Sequence, residues 1–503
     1  MKIKINIFAT YFSVKMKPNG MISNDPIIYI KKFVRNKLTE YGYSDKAKGF
    51  VPIYNYVSYD KDNEMLSIPI NLLSYFNQYI LSNNGSYEII EHEPDESDDI
   101  NLSVKSHYKD RDNQSKVIDF FAHGTNKMRA LRLQTGNGKT YCAIKASIII
   151  GKRILVILPS FLINQWIEEF LAISNIKKDE ITLIQGAKSI EAIINNDEII
   201  KQTKVFIVSA KTLVQYAKKS FESYKHIIPC KEFITKLRVG TKIVDECHLH
   251  FYGNTIIDLH CNIANNLYLS ASYIRSNKSG NRIFNWVFPE FIKFDDKSYN
   301  RYTNITECLY SLGFIHPMTT KTKRGYSQIK YEKYLSKQEV KLRILFEQVF
   351  TKLIEDYYLN IRSPKQKLLI FIATRDIGYK LCNFLKKEYP KVKISVYFND
   401  TDDIVLKKSE IIISTTGSCG VGKDIENLRT VILFPSFMSE GLCYQTLGRL
   451  RKLKNGDVPE FIFMQNKAIE SHLYHLKTRR LLYQSLCKKY NSIEFMPLPL
   501  RSN

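Results

Sequence analysis

The decapeptide LRLQTGNGKT, residues 131–140, constrains the fold more than any other stretch of the chain. Closely spaced glycines let a backbone wrap around phosphates, with successive N–H groups donating to the oxygens. Gly136 and Gly138 shape the turn, Thr135 and Asn137 complete it, Lys139 neutralises β/γ-phosphate charge and the Thr140 hydroxyl completes a magnesium site. A glycine stands two residues before Gly-Lys-Thr rather than four, so the cradle is one glycine short of the general form and needs a second anchor.

KIVDECHLH, residues 242–250, supplies that anchor, because an apolar strand-like run opens there onto two consecutive carboxylates. Asp245 is placed to hold magnesium directly or through water, and Glu246 to orient and deprotonate an attacking water. His248 lies two residues further on, in reach of reporting nucleotide state. The two motifs in this order, each after an apolar run, point to an ATP site.

A length of 503 residues suggests three or so folding units, and 44% hydrophobic content is ample for several cores. A formal charge of +24 suits a polyanionic partner, although a lysine-rich proteome gives the same bias. The nine cysteines form no C-x-x-C pair, which argues against a zinc ribbon and reads as buried thiols of a reducing compartment. No uncharged run reaches membrane-spanning length, and MKIKINIFAT alternates where a signal peptide needs a continuous apolar segment. The expectation is a soluble, cytoplasmic protein with no membrane partner.

Composition sets the amino-terminal part apart. Alternating MKIKINIF, aromatic YGYSDKAKGFVPIYNYVSY and a helix over INLLSYFNQYIL precede EHEPDESDD, residues 91–99, an acidic run that reads as a solvated linker. Tyr41, Tyr43, Lys46, Lys48, Tyr54 and Tyr56 interleave rings with charge, as a stacking or phosphate-tracking surface does; a strand packing one face on a small core gives the same spacing. Beyond the linker, RILVILP, KVFIVSA, TKIVDE and NLYLSAS read as strands of one parallel sheet. KLLIFIATR, VKISVYFND, EIIISTT and RTVILFPS read as strands of another, with ligand loops at their carboxyl ends. The basic, aromatic stretch at about 275–360 is either a DNA-facing insertion or a mobile surface, and the tail after Tyr474 reads as a basic amphipathic helix ending in a strand-like brace.

These motifs together resemble the superfamily 2 helicases and translocases, in the style of the UvsW-type and XPB-like DNA helicases, over about residues 108–470. The resemblance implies an α/β fold of two tandem RecA-like parallel-sheet domains, at 106–330 and 331–503, behind a small α+β domain at 1–105 that grips duplex or junction DNA. It assigns Arg111 and Gln114 to the adenine side, and Pro159, Ser160, Gln165, Trp166 and Ser209 to the nucleic-acid track. His248, Ser270 and Ser272 become the coupling residues, with Ser272 and Tyr273 standing where the family more often has Thr-Pro. In the second lobe Thr374 and Arg375 approach nucleic acid, Thr415 or Thr416 meets a phosphate, and Gly422 and Asp424 fill a Gly-x-Asp motif. QTLGRLRK carries Gln445 and the finger Arg449; Arg451 is favoured over Lys452 as its companion because a planar guanidinium holds two phosphate oxygens.

The function implied is an ATP- and Mg2+-dependent DNA helicase or translocase, monomeric, acting on forked or branched DNA in phage replication, recombination or repair beside single-strand-binding or recombination proteins. An RNA helicase, a nucleic-acid-stimulated ATPase or translocase that does not separate strands, and a non-enzymatic DNA-binding scaffold remain alternatives at this stage.

Overall fold

The structure, a computed structural model, describes residues 2–16, 25–44, 47–111, 113–133, 138–221, 228–270, 278–295, 301–322, 325–419 and 425–495. It divides into two compact units, one extending to residue 296 and one beginning at residue 297.

In the first unit the alternation of KIKINI forms β1 (Lys2–Ile7), with Ile3 and Ile5 buried and Lys4 exposed. It pairs antiparallel with β2 (Tyr11–Lys15). The hairpin β3 (Thr39–Ser44) and β4 (Gly49–Asn55) stands apart, while β5 (Ser58–Asp60), β6 (Met65–Pro69) and β7 (Ser86–Glu91) complete a sheet ordered β5-β6-β2-β1-β7. The helix expected over INLLSYFNQYIL forms at Leu73–Ser82 and buries Phe76 and Ile80.

A seven-stranded parallel sheet follows, made of β8 (Met128–Arg132), β9 (Ile154–Leu158), β10 (Ile181–Ile184), β11 (Val205–Ser209), β12 (Thr241–Val244), β13 (Asn265–Ser270) and β14 (Lys293–Asp295), in the order β10-β11-β9-β12-β13-β8-β14. Every residue of β9 is buried, as expected of a strand covered on both faces. Its Val156 side packs with helices Gln114–His123, Lys139–Ile150 and Ile163–Ile173. Its Leu155 side belongs to an apolar core that also takes in Ile5, Phe12 and Tyr56 of the amino-terminal part.

That shared core overturns one reading made from sequence and favours one of the two alternatives left open by another. The acidic run at 91–99 is a docked strap rather than a solvated linker. Asp98 accepts from Arg153 at 2.7 Å and from Arg238 at 2.6 Å, Glu96 takes Arg238 through two 3.0 Å bonds, and the backbone N–H of Asp95 donates to Asn262 O at 2.8 Å. A side chain at Gly240 would meet Ser97 Oγ at 2.6 Å, so only glycine lets the strap lie there. Two of the aromatics are structural: Tyr56, just past the hairpin, is buried and donates to Glu40, and Tyr54 stacks on Tyr252 with ring centroids 4.4 Å apart. Lys46 lies outside the described residues, as does the Tyr43 side chain.

The second unit holds a parallel sheet ordered β19-β20-β18-β21-β22-β15-β23. Its strands are β15 (Asn304–Tyr310), β18 (Lys367–Ile372), β19 (Ile394–Tyr397), β20 (Ile411–Thr415), β21 (Leu428–Leu433), β22 (Glu460–Asn466) and β23 (Lys489–Phe495), and a short ladder of β16 (Lys321–Thr322) and β17 (Gly325–Tyr326) lies between β15 and β18 in sequence. This unit starts earlier than the expected 331, because β15 joins its sheet between β22 and β23. After helix Glu470–Leu486 the tail closes that sheet as edge strand β23. The nine cysteines are buried thiols. Among the described residues no helix is long and apolar enough to cross a membrane.

Candidate functional site

Lys139 and the acidic pair meet at the carboxyl end of the first parallel sheet. β13 lies between β8 and β12, so the loops after these three strands are neighbours. Lys139 opens the helix that follows β8, and its Nζ lies 3.4 Å from Glu246 Oε1. Gly138 precedes it with φ +83°, a left-handed backbone that a glycine adopts without strain. A Cβ there would fall 2.3 Å from Gln114 Nε2, so the glycine also lets Gln114 close against the cradle. Gln114 is buried, and its Oε1 accepts from the Arg111 backbone N–H at 3.0 Å. Thr140 is half-buried one residue beyond Lys139. Thr135, Gly136 and Asn137 lie outside the described residues.

Asp245 directly follows β12 in a buried position. Its Oδ2 accepts from the Trp166 indole at 2.8 Å and its Oδ1 from the Glu246 backbone N–H at 2.8 Å. Burial, then the nearby Glu246 charge, pushes its pKa up to about 6. Glu246 holds φ +46°, a left-handed backbone rarely adopted by a residue with a side chain. That conformation goes with a three-way contact: Oε1 faces Lys139, while Oε2 lies 3.2 Å from His248 Nδ1. His248 Nδ1 is also 2.8 Å from Ser270 Oγ, and the Ser270 carbonyl accepts from Leu133 N–H at 3.4 Å. His248 and Ser270, expected to couple, are thus tied to both the acidic pair and the cradle strand; Ser272 lies outside the described residues.

Trp166 was expected on the nucleic-acid track, and the structure corrects that placement. Ile163, Trp166, Phe170 and Ile173 form the buried stripe of their helix, and Trp166 is 0% exposed with its only polar atom on Asp245. Gln165 and Ser160 are exposed and Pro159 is buried. Ser209 ends β11, where its Oγ accepts from Thr212 N–H at 3.1 Å and caps the next helix.

The second unit places its expected residues at the carboxyl end of its own sheet. Thr374 follows β18, and both its N–H and its hydroxyl donate to buried Glu332 at 2.7 and 2.9 Å. Arg375 is exposed and pairs with Asp400 at 3.1 Å. Thr415 ends β20 and its hydroxyl accepts from Ser418 N–H at 3.1 Å; Thr416 opens the short helix after it. Gln445 is buried on helix Glu440–Leu447, and Arg449 is buried just beyond it. The Arg451 guanidinium donates to the Gly448 carbonyl, and Lys452 is exposed. Gly422 and Asp424 lie outside the described residues.

Four residues were not anticipated: Glu332, its neighbour Gln328, and the buried pair Lys242–Asp258 beneath the acidic motif. Lys242 Nζ lies 2.5 Å from Asp258 Oδ1, Tyr268 donates to the other oxygen at 2.9 Å, and Thr10 of the amino-terminal part donates to the Asp258 and Cys261 carbonyls at 2.7 Å. An aspartate in the apolar run TIIDLH is a sequence signal for a buried, paired carboxylate; Glu332 in QIKYEKYL reads like ordinary helix-surface charge and gives none.

Residues 107–275 match the family ResIII, described as Type III restriction enzyme, res subunit. No curated protein matches the chain. Among solved structures it is similar to UvsW of bacteriophage T4, at 16% identity over 99% of this chain and all of that one, with a TM-score of 0.36. It is also similar to the DNA-bound Type ISP restriction-modification enzyme LlaBIII, at 15% identity over 85% of this chain and 34% of that one, with a TM-score of 0.52. Dbp5 of S. cerevisiae bound to RNA is 13% identical over 77% of this chain and 90% of that one, with a TM-score of 0.48.

Proposed function

We propose, for a chain that resembles the superfamily 2 helicases and is built of two RecA-like parallel-sheet domains, an ATP-dependent DNA helicase or translocase that unwinds or remodels branched DNA. The observation that carries this reading is the meeting of Lys139, Asp245 and Glu246 at one sheet edge, with Ser270 and His248 hydrogen-bonded beside them. A static ATP-binding scaffold has no need of a water-activating carboxylate held in a strained backbone and wired to a neighbouring strand.

The donor set fits a magnesium nucleotide. Gly138 leaves space that a Cβ would fill, Lys139 has a carboxylate where a phosphate oxygen would lie, and Asp245 keeps a buried oxygen pair in fixed orientation. Bound Mg2+ supplies charge neutralisation of the β- and γ-phosphates. Lys139 exchanges Glu246 for phosphate, which leaves the Glu246 carboxylate to orient a water and take its proton. Asp245 and Thr140 would hold the cation, and Gln114, whose Oε1 accepts from the Arg111 N–H, would bound the adenine side. Arg449 and Arg451 are the second unit's candidate finger residues, because a planar guanidinium holds two phosphate oxygens while charge grows on them. Ser270 and His248 carry the change at Glu246 to β13 and β8. Arg375, Thr415, Thr416, Gln165, Ser160 and Ser209 are the backbone contacts, which position nucleic acid without reading its sequence.

The amino-terminal part gives the branch preference. Lys31 and Arg35 line a cavity of about 660 Å³ with Tyr41, Phe50 and Tyr59, and among the described residues no acidic side chain lines it. Deleting residues 1–105 is a poor test, since Ile5, Phe12 and Tyr56 share the core of the first lobe. Charge reversal of Lys31 and Arg35 in the full chain is the sharper one. It should lower activity on forks and four-way junctions relative to a tailed duplex while sparing DNA-stimulated ATP turnover; an unchanged ratio would reject the amino-terminal part as the branch-gripping element.

A further inference from the structure

Glu332 is a wholly buried carboxylate, and no cation of the described residues is paired with it. It lies on helix Gln328–Leu335, within the stretch between the two sets of strands that from sequence alone was equally an insertion or a mobile surface. Five bonds from four donor groups converge on its two oxygens: Ala373 N–H at 2.8 and 3.0 Å, Thr374 N–H at 2.7 Å, Thr374 Oγ1 at 2.9 Å and Gln328 Nε2 at 3.0 Å. The first three groups belong to the loop after β18. Such a concentration of donors fixes a loop in one geometry, because a buried carboxylate that loses partners is costly.

The bonding continues beyond Glu332. Gln328 Oε1 accepts from Ser436 N–H at 3.0 Å and from Tyr326 OH at 2.6 Å. Tyr326 OH lies 2.5 Å from His472 Nε2, and His472 Nδ1 accepts from Asn466 N–H at 3.0 Å. With Nδ1 accepting, a neutral His472 carries its proton on Nε2 and donates to the Tyr326 oxygen. Every hydrogen bond in the chain then points the same way, from Asn466 through His472, Tyr326 and Gln328 to Glu332. The groups it gathers come from three adjacent strands of one sheet at their carboxyl ends: Ala373 and Thr374 just after β18, Ser436 just after β21 and Asn466 as the last residue of β22. Ser436 lies three residues before Ser439, whose Oγ accepts from Leu442 N–H at 3.3 Å and caps the helix bearing Gln445, with Arg449 just past its end.

We propose that Glu332 and Gln328 form a positioning relay: Glu332 sets the Thr374–Arg375 loop for nucleic-acid contact, and Gln328 ties that setting to the Ser436 segment that leads into the arginine-finger helix. The proposal rests on the nucleic-acid-stimulated ATPase put forward above and adds the device that makes stimulation possible. Glu332 and Gln328 bind protein groups, Ala373, Thr374 and Ser436 among them, and so act through others.

The test uses full-length Glu332→Gln, Gln328→Leu and the double variant, with ATP turnover measured without nucleic acid and across a titration of forked DNA. In Glu332→Gln the amide nitrogen faces backbone donors, so the stimulated rate at saturating DNA should fall by about tenfold or more while unstimulated turnover and KM for ATP stay within about twofold. The double variant should lose no more than the worse single variant, since residues acting as one unit are not additive. Unchanged stimulation in Glu332→Gln, an equal fall in stimulated and unstimulated turnover, or losses that multiply in the double variant would each overturn the relay. A wild type that no nucleic acid stimulates would overturn the proposed function and the relay with it. Should Glu332→Gln fail to fold, Gln328→Ala, which leaves the three loop groups on Glu332, decides by the same split.

Discussion

Replacing Trp166 with phenylalanine removes one of the two hydrogen bonds that hold Asp245, the indole donor at 2.8 Å, and leaves the Glu246 N–H. A hydrogen bond to a charged group is worth about 1.5–3 kcal/mol, but the variant has an escape. The Asp245 pKa already stands at about 6, so taking up a proton at neutral pH costs only about 1.4 kcal/mol. That escape caps the electrostatic loss, and the shortened ring in a fully buried site adds roughly 1 kcal/mol of lost packing. The first unit should therefore lose about 2–3 kcal/mol, seen as a melting transition roughly 4–10 °C lower. The sign of the pH effect follows from a carboxyl whose folded pKa is raised. Its folding contribution is most favourable at the acid end and falls as pH rises through about 6. Losing the indole raises that pKa further, so more of the variant's Asp245 is protonated at neutral pH and Mg2+ binds it less tightly. ATP turnover of Trp166→Phe should need about tenfold more Mg2+ at pH 7 and recover most of the deficit at pH 8.5. An unchanged melting temperature together with weakened DNA stimulation would refute this reasoning and return Trp166 to the nucleic-acid track.

Lys139→Ala should abolish ATP hydrolysis, by about a hundredfold or more, with DNA binding still measurable by anisotropy. Glu246→Gln should keep nucleotide binding and lose single-turnover cleavage by about a hundredfold, and a normal cleavage rate would remove Glu246 as the base. Asp98→Ala strands the buried Arg153, so urea unfolding of the first unit should show a loss of about 2 kcal/mol and faster proteolysis within 91–99; a fully solvated linker would show neither. Burial, then the Arg479 charge, lowers the His475 pKa to about 4, so its contribution is fully present above about 6.5 and is lost as pH falls toward 4; His475→Gln should flatten the acid limb of the second unit's stability curve.

The parallel sheets were readable because a strand covered on both faces must be a short apolar run, and RILVILP, KVFIVSA, KLLIFIATR and EIIISTT are such runs. β8 and β15 were not singled out, since MRALR and NITECLY carry charge that only tertiary partners offset: Arg129 donates to Gly124 O, and Glu307 takes a bidentate Arg480. Lys139, Asp245 and Glu246 were legible because phosphate and metal chemistry dictates residue type and spacing. Trp166 was legible in another way, through its 163-166-170-173 stripe, and the helical period outranked the motif analogy. The strap at 91–99 was not legible, because what holds it is Arg153 and Arg238, far along the chain. Glu332 was hidden for the same reason, its partners being backbone groups of a loop some forty residues away.

The most direct measurement is ATP turnover and strand displacement by the purified full-length protein on matched forked DNA, forked RNA and tailed linear duplex, with Lys139→Ala alongside. The account predicts turnover stimulated by DNA more than by RNA, displaced or reannealed strands fastest on forks, and neither activity in the Lys139 variant. Turnover indifferent to nucleic acid, or persisting in Lys139→Ala, would contradict it.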